Sequence, residues 1–278
     1  MQRLNVPLFA KAILLFIMVT FTKEQLQRYS RNILLKDFGK EGQARIMSGK
    51  VLVIGAGGLG SAAILYLAAA GIGTLGIADN DTVEISNLQR QIIHDIRDIG
   101  IVKAESAAAK VLALNPDVKI TPHRVRARAD TIRAIIRAYD FVIDCTDSFA
   151  SKFLINDACV MEKIPFSHGG VLRLSGQTMT VIPSVSACYR CVFTAPPPKN
   201  AVPTSAEVGI LGAIPGIVGA IQAAEAIKFI AQSGVLLTNK LLTFEGRTMD
   251  FRTIALHKRV DCPVCGDNPV VRELTDED

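Results

Sequence analysis

Two patterns in the chain could do chemistry. One is a Gly55-x-Gly57-x-x-Gly60 run followed by Asp79; the other is a pair of Cys-x-x-Cys motifs, Cys188/Cys191 and Cys262/Cys265. The glycine run sits between a β-branched stretch, Lys50 to Ile54, and a helical stretch from Ser61 to Ala70. Glycines there let the backbone turn tightly and approach a phosphate, and the helix start offers unpaired N–H groups and the positive end of its dipole. Asp79 closes the next strand, Thr74 to Ala78, where a carboxylate can accept ribose hydroxyls. Taken alone this reads as a dinucleotide-dependent oxidoreductase. It is not a Walker A loop, because no Gly-Lys-Ser/Thr follows the glycines.

The residues after Asp79 point to a triphosphate instead. Asp79-Asn-Asp81-Thr-Val-Glu-Ile-Ser86-Asn87-Leu88-Gln89-Arg90-Gln91 gathers polar groups directly behind the ribose carboxylate. Arg90 can fork onto phosphate oxygens, and Asn87 can offer both a donor and an acceptor. Lys103 opens the next helix and can neutralise another phosphate. Asp147 follows the apolar strand Phe141 to Asp144, on the sheet edge where ligands bind, and its carboxylate suits Mg²⁺. Hydride transfer needs few cations, whereas nucleotidyl transfer needs several to stabilise charge building on the phosphates. The cysteine pairs supply four thiolates for a closed, tetrahedral Zn²⁺ site with no open position, so a structural role is expected. A redox dithiol is the competing reading, but neither pair clearly opens a helix after a strand. Cys145 and Cys159 lie in apolar segments and read as packing residues.

Together these motifs resemble the ThiF/MoeB/HesA family, bacterial relatives of the ubiquitin-activating enzymes. The resemblance runs from about Leu26 to Gly266 and includes Gly58 of the glycine loop and the Asp144-Cys-Thr-Asp147 run. It implies ATP-dependent adenylation of the C-terminal glycine of a ubiquitin-like sulfur-carrier protein of the ThiS/MoaD type with a Gly-Gly end, releasing pyrophosphate. Thiamine, molybdopterin and related pathways all use that step. By resemblance Gly58, Asp79, Ser86 to Arg90, Lys103 and Asp147 correspond to ATP-binding positions, with Asp147 near Mg²⁺. Arg31, in Arg28-Tyr-Ser-Arg31-Asn, matches an arginine that reaches into a partner subunit's site, which implies a homodimer. Two positions depart from the family pattern. Ser148 stands where an asparagine is common, and can hydrogen-bond but reaches less far. Ser205 stands on the crossover loop where some members carry a cysteine, so no covalent carrier adduct is expected and a separate sulfur donor is implied.

The elements that must position these residues alternate strand and helix. Beyond the segments already given, helices are expected at Thr22 to Met47, Lys103 to Leu114, Asp130 to Ala138, Phe149 to Met161 and Gly209 to Ala231. Further strands are expected at Val118 to Pro122, Pro165 to Ser167, Leu241 to Phe244 and Met249 to Ala255, with a hairpin at Val171 to Leu174 and Gln177 to Ile182. The alternation predicts an α/β fold with a Rossmann-like doubly wound sheet, mostly parallel, extended by antiparallel strands. The organisation expected is one adenylating domain over residues 22–270 and an acidic tail over 271–278. Residues 1–21 read as an extension of uncertain status, with Met18 a candidate start because Thr22 and Gln25 form a capping box just after it.

Composition fits this reading. The chain has 278 residues and 49% apolar content, enough for a filled core. Its net charge of +5 is not gathered into a basic, aromatic-interleaved stripe, so no nucleic-acid partner is expected. Leu8 to Phe21 is too short to span a bilayer and lacks a cleavage signal, which leaves a cytoplasmic, membrane-free protein as the expectation and a membrane-surface arm as the alternative. His94, His168 and His257 read as surface or core histidines, with His168 the one that could lie near the carrier's tail.

Overall fold

The computed structural model describes residues 20–198 and 201–276. The N-terminal extension up to residue 19, with Met18, lies outside the described residues, as do two positions of the Pro-rich loop and the last two of the acidic tail. The helices are α1 Lys23–Arg28, α2 Ser30–Ile33, α3 Gly39–Ser48, α4 Gly58–Ala70, α5 Lys103–Leu114, α6 Ile132–Ile136, α7 Phe149–Glu162, α8 Tyr189–Val192, α9 Ser205–Val208 and α10 Ala213–Ala231. The strands are β1 Lys50–Ile54, β2 Thr74–Ala78, β3 Lys119–His123, β4 Phe141–Asp144, β5 Phe166–Leu172, β6 Ser175–Val181, β7 Lys240–Glu245 and β8 Asp250–Ala255.

All eight strands form one sheet in the order β3-β2-β1-β4-β5-β6-β7-β8. The first five run parallel, and β6, β7 and β8 extend them antiparallel. From β1 the chain winds outward to β2 and β3, then returns to place β4 on the other flank of β1. The switch point therefore lies between β1 and β4, at their C-terminal ends, where open α/β sheets bind ligands. Burial follows the two-residue strand period. Val51, Val53, Leu75, Ile77, Phe141 and Ile143 face the layer of α4, α5 and α10, while Leu52, Ile54 and Val142 face the layer of α6 and α7. With both faces covered, the central strands read as continuous apolar runs. By length and composition α10 could cross a membrane, but it packs against α4 and the sheet.

Several expected boundaries shift. The segment from Thr22 to Met47 is three helices rather than one. Thr22 does cap α1 with a capping box to Gln25, but the chain leaves the helix at Tyr29, whose buried hydroxyl accepts a hydrogen bond from Asn115 at 2.9 Å. A second break precedes Gly39, where φ is +60°. The short strand expected at Pro165 to Ser167 and the first hairpin arm are one strand, β5. The Gly169-Gly170 pair reads as a break, yet the ladder to β6 continues through both glycines. The long apolar helix begins at Ala213 rather than Gly209, because Ile210 pairs with Arg173 as a β-bridge.

Candidate functional site

The glycine run wraps the C-terminal end of β1. Gly55 has φ +97°, and a Cβ on Gly60 would lie 1.9 Å from the Gly55 carbonyl oxygen. Only glycine permits a turn this tight, and it delivers the start of α4, which no side chain among the described residues caps, to the crevice. His94 holds the loop from below. Its Nε2–H donates to the Ala56 carbonyl at 3.0 Å, and the Ser106 hydroxyl donates to Nδ1 at 2.7 Å. Burial pushes the His94 imidazole below its ordinary pKa, so it stays neutral and can keep both bonds.

Asp79 is fixed by the same backbone. Its Oδ2 accepts the Ala56 N–H at 2.8 Å and its Oδ1 the Asp81 N–H at 2.9 Å. Burial pushes its carboxyl up, and these two bonds pull it back. A carboxylate has about four acceptor sites, so Asp79 retains capacity for two hydroxyls. Lys103, buried at the start of α5, donates to Asp81 Oδ2 at 3.0 Å. Arg90 donates one N–H to the Ser86 carbonyl at 3.1 Å, and its stem passes 3.6 Å from where a Cβ on Gly58 would lie. Gln91 is buried beside Gly57, and its Oε1 has no hydrogen-bond partner among the described residues. A buried orphan acceptor at a phosphate loop fits a bound polar group.

Other expected residues are held differently. Asn87 is buried, and its Oδ1 accepts the Glu84 N–H at 3.2 Å while its Nδ2 donates to Ser86 Oγ at 3.3 Å, so its amide shapes its own turn. Leu88 is half-buried, and the Gln89 carbonyl lies where a Cβ on Gly212 would meet it at 2.2 Å. Ser148 caps α7, accepting the Ser151 N–H at 3.2 Å. Asp147 is exposed, and among the described residues it makes no hydrogen bond or ion pair. A free carboxylate on this edge fits a hard cation.

Arg31 is the exception to the gathering. It is exposed on α2, beside Asn32, which donates to Gln43 at 3.1 Å; Gln43 in turn donates to the Ala70 carbonyl at 2.8 Å. That anchors α2 at the far end of α4. Thirteen helical residues separate its ends, a rise of about 20 Å, so Arg31 cannot reach its own glycine loop.

A buried polar network behind Asp147 escaped the sequence reading. Asp144 accepts the Thr146 N–H at 3.0 Å, the Thr146 hydroxyl at 2.6 Å and His168 Nδ1–H at 3.1 Å, with Lys152 Nζ at 3.4 Å. Burial pushes the Asp144 carboxyl up, but Lys152, His168 and Thr146 outweigh it and hold it at about 2. Burial and the Lys152 ammonium push the His168 imidazole down. The available signal was a lysine in an otherwise core-facing turn of α7.

The four cysteine sulfurs lie within 4.8 Å of one another. Contacts of 3.9 Å (Cys188–Cys191), 3.6 Å (Cys188–Cys262) and 3.4 Å (Cys191–Cys265) are close to the ~3.8 Å edge of a tetrahedron with ~2.3 Å Zn–S bonds. The donor set and its spacing fit that ion. Arg190 secures α8 to α7 by pairing with Asp157 at 2.7 Å, and the Arg259 N–H points at Cys191 Sγ at 3.5 Å.

Comparison with known proteins places the fold. The ThiF family model matches residues 29–264. The SAMP-activating enzyme E1 of Haloferax volcanii is 46% identical over 88% of this chain and 91% of its own length. The sulfur carrier protein adenylyltransferase of Thermus thermophilus is 41% identical over 92% of this chain and 96% of its own. Adenylyltransferase and sulfurtransferase MOCS3 of Aedes aegypti is 42% identical, and the chain spans 58% of its length. Among solved structures, E. coli MccB with MccA-N7isoASN superposes with a TM-score of 0.78 at 23% identity, covering 87% of this chain and 75% of that one, a likeness of fold. A structure of E. coli MccB with ATP gives 0.76 at 24%, covering 86% of this chain and 75% of that one.

Proposed function

The chain belongs to the ThiF family, and from that premise we propose that it is an adenylyltransferase that uses ATP to activate the C-terminal carboxylate of a ubiquitin-like sulfur-carrier protein. The observation that carries this reading is the convergence at the β1/β4 switch point. The glycine loop, Asp79, Arg90, the orphaned Gln91 oxygen, Lys103 and the free Asp147 carboxylate come together on one sheet edge. The name of the Thermus thermophilus relative specifies adenylation of a sulfur carrier protein, and that of the Haloferax volcanii relative specifies activation of SAMP.

In this reading the glycine loop and the start of α4 bind the phosphates, Asp79 takes the ribose hydroxyls, and Gln91 orients the nucleotide. The carrier's terminal carboxylate attacks the α-phosphorus, the bond to the β-phosphate oxygen breaks, and pyrophosphate leaves. Arg90 and Lys103 stabilise the charge that develops on the phosphates. Asp147 would hold Mg²⁺, which neutralises phosphate charge when bound. The four cysteines would hold Zn²⁺ away from the chemistry, closing the C-terminal segment onto α8.

Arg31 acts in a second copy of the chain, since it lies a helix length from its own loop. Exposed isoleucines after β2, among them Ile85, Ile92 and Ile96 at 64–72% exposure, supply apolar surface for such a homodimer. The adenylating unit is residues 22–270, working in the cytoplasm with a Gly-Gly carrier of the ThiS/MoaD type and a separate sulfur donor. Thiamine and molybdenum-cofactor biosynthesis are the pathways to test. ATP–pyrophosphate exchange decides the reading: labelled pyrophosphate should enter ATP only when a copurifying Gly-Gly carrier is present. Absence of exchange with every such carrier, in protein that binds ATP, would sink it.

A further inference from the structure

We propose that Lys152 is a positioning residue for the crevice: its buried ammonium fixes the loop after β4 so that Asp147 faces the bound nucleotide. The inference rests on the reading of Asp147 given above. Lys152 lies in the first turn of α7 and is 7% exposed. Its Nζ donates to the Thr146 carbonyl at 2.6 Å and the Gly169 carbonyl at 2.6 Å, and reaches Asp144 Oδ2 at 3.4 Å. An ammonium has three donors, and these acceptors use all of them.

The residue being held is Thr146. Asp144 takes its N–H and its hydroxyl, and Lys152 takes its carbonyl, so every polar group of Thr146 is engaged. Asp147 is next in the chain and has no side-chain bond of its own among the described residues. Its direction is therefore inherited from Thr146. The opposite side of the loop is pinned as well: Gln222 of α10 donates to the Asp144 carbonyl at 2.8 Å and the Ser167 carbonyl at 3.2 Å. A Cβ on Gly169 would lie 2.4 Å from the Gln222 amide, so β5 has no room to shift toward α10. A buried ion pair is a poor source of stability compared with an apolar side chain of similar size. Two carbonyls, one on the loop after β4 and one on β5, that share one donor explain why a cation sits here.

The test is Mg²⁺-dependent binding of a non-hydrolysable ATP analogue, followed by calorimetry without carrier. In the wild type Mg²⁺ should tighten binding. Lys152→Met should weaken the apparent Mg²⁺ affinity by about tenfold or more, the usual cost of losing a partner behind a metal ligand, while the Mg²⁺-free affinity stays near wild type. Lys152→Arg should recover part of the loss. A lower melting temperature with an unchanged Mg²⁺ response would overturn the proposal, as would an equal loss of Mg²⁺-free binding. Asp147→Ala separates the two levels of the argument. If it loses the Mg²⁺ response and Lys152→Met keeps it, only the positioning role falls; if Asp147→Ala keeps it, the reading of Asp147 falls and the proposal with it. Should Lys152→Met fail to fold, Asp144→Asn/Lys152→Met removes both buried charges and replaces it in the same assay.

Discussion

At the β1/β4 crevice the polar groups come from separate segments between Gly55 and Asp147, and several keep bonding capacity to spare. Among the described residues Gln91 Oε1 has no partner and Asp147 is free. At the cysteine cluster four like groups from two short turns face one another, and three of the four are buried. A site that must take up and release a ligand each turnover leaves donors and acceptors open and draws its rigidity from the backbone around it. A site that keeps its ion closes over it. Substitutions should therefore act on the rate in the first region and on stability in the second.

The largest expected effect is at the crevice. Arg90→Ala should lower carrier-dependent ATP–pyrophosphate exchange by about two to three orders of magnitude, the range seen when a transition-state charge partner is lost. Its melting temperature should move by less than about 2 °C, as for a surface substitution. A rate within a few-fold of wild type would remove Arg90 from the charge-stabilising set. The cluster should show the reverse signature. Cys262→Ser should lower the melting temperature by about 5 °C or more, because a structural metal's binding energy is folding energy. Exchange per folded molecule should change by no more than about twofold. Metal analysis of freshly reduced protein should find about one zinc per chain, and a zinc-free result would refute the closed-site reading.

Acid should separate the two regions more gently. His94 is held below its ordinary pKa in the folded protein, so the unfolded chain binds its proton more readily. Its contribution to stability is complete above the unfolded value of about 6.5 and is lost as the pH falls from there toward the lower folded value. His94→Gln should flatten that part of the stability–pH curve. A metal-loaded cluster should also bind protons as it gives up its ion, but with a release of zinc that a chromophoric chelator would read directly. An unaltered curve in His94→Gln would mean that the loop's support does not titrate there.

The smallest effect is expected at Ser205. Adenylation needs alignment of the carrier's carboxylate with the α-phosphate, not a protein nucleophile. A hydroxyl is far less reactive than a thiolate, and Cys145 and Cys159 are buried with thiols pushed well up by burial. Ser205→Ala should leave exchange within about twofold of wild type. Intact-mass measurement after incubation with ATP and carrier should find no DTT-sensitive conjugate; such a conjugate would show that another cysteine has taken the role.

The sequence by itself determined the features whose physics is local. The glycine turn, the capping box at Thr22, the two-residue period of the strands and the metal spacing of the cysteines are each set within a few residues. Steric limits on φ and ψ, and hydrogen bonds between near neighbours, govern them. The tertiary structure decided what depends on residues far apart in the chain. It set Arg31 at the far end of α4, and it joined the strand expected at Pro165 to Ser167 to the hairpin through Gly169 and Gly170. Asn87 and Ser148 looked free to meet a nucleotide, and the fold gave them to a turn and a helix cap. Lys152 stood outside every motif in the sequence, and became the donor shared by the loop after β4 and strand β5. In each case the deciding partner is a group whose position exists only once the strands have paired, because a buried donor or acceptor must be satisfied by whatever the packing brings within reach.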